Sequence, residues 1–159
     1  MGQISGMDFT FEVTLKNRET LERFLNTHTL EELNKVAAGF NNNIFWNIAH
    51  TIVVQQLLTY KLSGLTPTIP QELIPLYSNG TKPEKDVTLA EVDKIKSLLH
   101  TSVEKTRADY KNGVFTSFTE RQLSTGNVLT SIEEAITFNN YHEGLHLGYI
   151  LALRRAINL

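Results

Sequence analysis

Apolar residues recur along this chain at helical spacing in four long stretches, each bounded by recognisable start and stop signals. The first is ambiguous at its start, where Phe9, Phe11, Val13 and Leu15 alternate as in a strand. Leu15, Arg18, Leu21, Phe24 and Leu25 then fall three and four apart, and a helix from about Asp8 to Asn26 is expected. Thr29-Leu-Glu-Glu32 is a capping-box pattern that should open a short helix through Val36. Gly39 and the run Asn41–Asn43 interrupt the pattern. The second long helix is expected from about Asn41 to Leu62, ending at Gly64, with Trp46, His50, Val53, Val54 and Leu57 on its inward face.

All four prolines, Pro67, Pro70, Pro75 and Pro83, lie between Gly64 and Val87. An interior proline removes a backbone donor and clashes with the preceding turn, so this stretch is expected to be a connection and not a regular helix. A connection of such length implies travel, back along the whole bundle, so that the third helix runs parallel to the second. Thr88-Leu-Ala-Glu91 opens that third helix with a second capping box, and Asn112-Gly113 closes it. Its stripe is Val92, Ile95, Leu99, Val103, Thr106 and Tyr110. Val114 to Val128 is irregular and polar, with short extended pieces suggested at Val114, Phe115 and Phe118. Ser131-Ile-Glu-Glu134 is a third capping box, and the last helix should run nearly to Leu159. Arg154 and Arg155 suit its carboxyl end. The expected fold is all-α: residues 1–159 as a single domain, a four-helix bundle with a long crossover between the second and third long helices.

Composition narrows the function. The chain has 15 Lys plus Arg against 17 Asp plus Glu, a formal net charge of −2, with no basic run or face. A nucleic-acid partner and electrostatic membrane binding are not expected. Absence of cysteine excludes disulfides, thiolate metal sites and a cysteine nucleophile. The most apolar segment, Ile44–Leu58, is broken by Asn47, His50, Gln55 and Gln56, and no basic-then-apolar leader opens the sequence. A soluble cytoplasmic protein acting on a small molecule is the expectation.

The chemistry concentrates in Tyr141-His-Glu-Gly-Leu-His146. His142 and His146 are four apart, hence one turn apart on one helical face. The same face should carry Phe138, Leu145, Tyr149, Ile150 and Leu153 into the core. Two imidazoles so placed can share one metal ion, and His50, on its own apolar stripe, is the candidate third ligand. Three neutral imidazoles suit Zn²⁺, and also Ni²⁺, Fe²⁺ or Co²⁺, and leave a coordination position open for water or substrate. The plainer alternative is that His50 is a hydrogen-bonded core residue and the His-x-x-x-His spacing is coincidence. His28 and His100 are assigned to the surface.

His142-Glu143-Gly144-Leu145-His146 also fits the His-Glu-x-x-His pattern of zinc proteases, whose glutamate is a general base. Such sites usually take a third ligand from downstream, but no Asp, Glu or His follows His146. An all-helical protein also lacks the edge strand that would hold an extended peptide. Glu143 lies about 100° from His142 on the helical wheel, as a partner to the ligands or as a solvated residue. Trp46, one turn before His50, together with Asn47 and Tyr149, is a candidate for the pocket wall. For the two aromatics, core packing is the bland alternative.

These residues resemble the DinB-like (DinB/YfiT-like) superfamily of helical-bundle metal-dependent enzymes, which is distinct from the similarly named DNA polymerase. The resemblance runs through Asn-Ile-Phe-Trp-Asn-Ile-Ala-His50, the helix closing at Leu62-Ser-Gly64, the proline-bearing crossover and His142-Glu-Gly-Leu-His146-Leu-Gly148. It implies one divalent metal, Zn or Ni, held by His50, His142 and His146. It also implies transferase or hydrolase chemistry, most often with a low-molecular-weight thiol such as bacillithiol as cosubstrate, and frequent homodimers. After the last-helix glycine the family often has glutamine, whereas this chain has Tyr149, a difference that bears on substrate contacts. The alternative function is a non-catalytic bundle binding a metal or a small ligand.

Overall fold

The computed structural model describes residues 6–158. Its elements are α1 (Gly6–Thr27), α2 (Leu30–Asn34), α3 (Ile44–Gln56), α4 (Leu73–Tyr77), α5 (Leu89–Lys111), β1 (Arg121–Gln122), β2 (Val128–Leu129) and α6 (Ile132–Ala156). A π-helical segment, Leu57–Lys61, carries α3 onward. The four long helices form an all-α bundle in which α1 and α3 are each flanked by α5 and α6.

Side-chain pairs fix the directions. Asn47 and His50 meet His146 and His142, so α3 and α6 are antiparallel. Gln55 meets Thr106 and Tyr60 meets Asp109, so α3 and α5 are parallel, as the long crossover requires. Thr14 meets Asn140 and Arg18 meets Glu143, so α1 and α6 are parallel too. Two of the capping boxes form in full, at Thr29–Glu32 and Thr88–Glu91. In the third, Ser131 caps the Glu134 amide, but the Glu134 carboxylate accepts from the Thr130 amide and hydroxyl, one residue earlier than expected. Gly64 (φ 73°) and Gly113 (φ 67°) end α3 and α5 in the left-handed conformation. Each is followed by the paired return bonds of a Schellman motif: Gly64 N to Lys61 O with Leu65 N to Tyr60 O, and Gly113 N to Tyr110 O with Val114 N to Asp109 O.

α3 is the central element. Ile44, Phe45, Ile48, Ala49, Ile52 and Val53 are all buried, and the core gathers around them from α1, α4, α5 and α6. Val54 and Leu57, expected inward, are only half-buried and pack at the margins.

Three expectations are corrected. α2 stops at Asn34, short of Val36, because Lys35 turns to extended geometry. The crossover contains the one-turn helix α4, with Pro75 as its third residue, where a missing amide costs no intrahelical bond. The extended pieces fall at Arg121–Gln122 and Val128–Leu129, an antiparallel ladder pairing Arg121 with Leu129, while Phe115 and Phe118 pack as core satellites. Among the described residues no helix is long and apolar enough to cross a membrane.

Candidate metal centre

His50 projects from the middle of α3 and is only 3 % exposed. Antiparallel α6 brings His142 and His146, both half-buried, alongside it. One ligand nitrogen from each ring lies within 4.8 Å of the others, the only His, Cys, Asp or Glu group among the described residues able to hold a metal ion. His50 Nε2 and His142 Nε2 are 3.2 Å apart. At Zn–N distances near 2.0–2.1 Å, two nitrogens on a tetrahedral centre stand about 3.3 Å apart. That edge is therefore already at ligand spacing, and the His146 nitrogen lies within 4.8 Å of the other two.

The far sides of two rings are held. His50 Nδ1–H donates to the Tyr77 carbonyl (2.6 Å), at the end of α4. His146 Nδ1–H donates to Asn47 Oδ1 (2.8 Å). Asn47 is itself fixed, since its Nδ2 donates to Asn42 Oδ1 and Asn43 O, both at 2.8 Å, which turns its oxygen to the histidine. Both rings are thereby set as the Nδ1–H tautomer, with the Nε2 lone pair facing the centre, the arrangement that outer hydrogen bonds impose on metal-ligating histidines. His142 has no such anchor: its Nδ1 is buried without a hydrogen-bond partner.

Electrostatics favour the neutral rings. Burial depresses all three pKa values, that of His142 to about 3, assisted by His146, His50 and Arg18, and that of His146 to about 4, assisted by His50. At neutral pH no proton competes for the lone pairs. Across the 3.2 Å between His50 Nε2 and His142 Nε2, the His142 tautomer protonated on Nε2 donates a hydrogen bond, and the tautomer protonated on Nδ1 offers a second lone pair to a cation. The donor set therefore fits a divalent ion: three neutral nitrogens, inward-facing, with two tautomers fixed.

Trp46 is buried and stacks on His50 with ring centroids 4.5 Å apart, its Nε1–H donating to Thr81 Oγ1 (3.3 Å). Tyr149 does not enter the core. It is 39 % exposed and packs edge-on against Phe40, while Leu145 is 53 % exposed. The buried face of α6 runs instead through Ala135, Asn139, Glu143, Ile150 and Leu153. His28 and His100 stay near the surface, His28 stacked on Phe24 and His100 beside Glu22.

Glu143 is neither solvated nor turned to the histidines. Its side chain is 1 % exposed and paired with Arg18, which is 0 % exposed. Arg18 Nε and Nη2 donate to the carboxylate at 2.7–3.1 Å, and Asn17 and Asn139 add bonds of 2.9 and 2.8 Å. The remaining guanidinium bonds reach the Leu99 and Thr51 carbonyls, so one side chain from α1 touches α3, α5 and α6. Buried against Arg18 and turned away from the histidines, this carboxylate is not placed to take a proton at their centre, which removes the protease role of His-Glu-x-x-His. Arg18 was the residue that pattern reading passed over. Its signal was present: a cation on an otherwise apolar stripe demands a buried anion.

Bundle, crossover and inward histidine triad together define a helical scaffold with a residue group able to hold a metal ion. The DinB superfamily model matches residues 14–150, and the chain belongs to that superfamily. No curated protein matches the sequence significantly.

Proposed function

We propose that this protein is a metal-dependent enzyme that holds one divalent ion, Zn²⁺ or Ni²⁺, through His50, His142 and His146. In this reading it transfers a low-molecular-weight thiol of the bacillithiol type to an electrophile, or hydrolyses a small substrate. The observation that carries the reading is the convergence of three neutral imidazoles with two lone pairs aimed inward by Tyr77 and Asn47. A divalent ion held there supplies Lewis acidity, lowering the pKa of a thiol or water at its open position so that it becomes a nucleophile at neutral pH. The chain's own part is positional. Asn47 and the Tyr77 carbonyl keep both rings oriented, and Trp46 stacked on His50 keeps water from its flat face. The Arg18–Glu143 pair leaves no free carboxylate beside the ligands, so proton removal falls to a group at the metal or on the substrate.

The test is metal analysis of untagged protein, followed by a screen of small thiols against electrophiles. About one equivalent of metal is expected, with turnover that falls at least a hundredfold in His50→Ala while circular dichroism keeps the helical spectrum. Turnover indifferent to that substitution contradicts the reading. Stoichiometric metal with no turnover for any thiol or hydrolysable ester favours the non-catalytic binding bundle.

A further inference from the structure

Three of the four exposed large apolar side chains of the last helix, Tyr141, Leu145 and Tyr149, fall on one side of it, and Leu151 falls on the other. Tyr141 is 52 % and Leu145 53 % exposed, and Phe138, half-buried, lies against Tyr141 with ring centroids 5.4 Å apart. Phe138 is one turn before His142, so its ring and the imidazole are neighbours on the same helical face. From Phe138 and Tyr141 a groove of about 590 Å³ extends towards the β1–β2 hairpin, lined also by Val128, Leu129, Glu133 and Glu134. That volume lies within the range of small-molecule sites, roughly 300–1,000 Å³.

The two carboxylates at its rim do not call for a cation. Glu133 accepts a hydrogen bond from the Tyr110 hydroxyl, and Glu134 is occupied by the Thr130 amide and hydroxyl at the helix start. Asn127 accepts from Thr125, and what remains is mainly apolar, Val128, Phe138 and Tyr141, with the Thr137 hydroxyl beside them. A second copy of the chain is a poor occupant. Eight residues line the groove, where a stable protein interface uses roughly 20–30 on each side. Along α6, Glu134 to His142 spans about 12 Å at 1.5 Å per residue, the reach of a medium-length alkyl chain or two linked rings.

We infer that the groove between the β1–β2 hairpin and α6 holds the apolar body of a small-molecule substrate whose metal-seeking polar head reaches the three histidines; this rests on the metal reading above. Substrates are then amphiphilic, with an alkyl or aryl tail, and Val128 and Tyr141 determine specificity without touching the ion.

Co²⁺-loaded full-length protein titrated with acetohydroxamate, butanohydroxamate and octanohydroxamate tests this, with the cobalt absorption bands reporting head binding. A fully buried methylene is worth about fourfold in affinity, so even partial burial in an open groove should make octanohydroxamate at least about tenfold tighter than acetohydroxamate. Val128→Ser/Tyr141→Ser should erase most of that gain while leaving acetohydroxamate affinity and cobalt uptake unchanged. Both positions are exposed, so the fold should persist. Affinity independent of chain length, or a gain that survives the double substitution, overturns the inference while leaving the metal site intact. Failure of the wild type to take up cobalt overturns the metal reading and this one with it. A wild-type dimer by light scattering that the double substitution converts to monomer assigns the patch to self-association and likewise overturns the inference.

Discussion

Two histidines of the cluster, His50 and His146, are each held by a different neighbour, and those neighbours separate the metal account from a merely buried cluster. Asn47 contributes one bond to His146 and is otherwise held by the turn at Asn42–Asn43. Asn47→Ala should weaken Zn²⁺ binding by about 10–100-fold, the usual cost of losing an outer hydrogen bond, and calorimetry would read it directly. If the histidines were only core residues, the same change would alter stability and no metal affinity. Arg18 offers a second test. Arg18→Ala leaves the Glu143 carboxylate buried with only amide donors, and a loss of about 3–5 kcal/mol is expected in urea unfolding. Arg18→Met with Glu143→Leu should recover most of that loss, because apolar pairs often replace buried ion pairs without penalty.

Helix boundaries were legible where a cap marks them, because caps depend on local chemistry, and less so at the end of α2 and the start of α3, which begins at Ile44 and not Asn41. Thr88 and Glu91 satisfy each other's backbone amides within one turn, and nothing elsewhere in the fold can change that. Thr88→Ala should therefore cost about 0.5–2 kcal/mol in thermal or urea unfolding. Gly64 similarly marked the end of its helix, since its φ of 73° is one that other residues adopt only at a cost of about 1–2 kcal/mol; Gly64→Ala should show that loss. Facing was harder to read than extent. On α6 the inward stripe includes Asn139, Glu143 and the histidines, so following apolar residues alone rotates the apparent core face onto Leu145 and Tyr149. The polar residues are buried because Arg18 and Asn17 come from α1 to meet them, which no local pattern announces. The one-turn α4 and the two-residue strands were invisible for a related reason: they are too short for a periodicity to register.

The bundle as a whole is arranged so that its most apolar helix carries the site. α3 is surrounded on nearly every side, and Ile52, fully buried beside His50's turn, should cost about 2–5 kcal/mol when cut to alanine. The proline-bearing crossover gives α3 and α5 the same direction, and its α4 ends with the Tyr77 carbonyl on His50 Nδ1. The length of the connection was readable from Pro67 to Pro83, but the hydrogen bond it delivers was not, because a backbone carbonyl has no residue signature. The histidines themselves were legible across the 92 positions separating His50 from His142, since imidazoles on apolar helical stripes need partners and few others are available. The most direct test of the central claim is calorimetric titration of metal-free, untagged protein with Zn²⁺, run beside His50→Ala and His142→Ala. Binding at one ion per chain by the wild type, lost in both variants while their helical spectra persist, is the predicted result; no binding, or binding undiminished by either substitution, would contradict it.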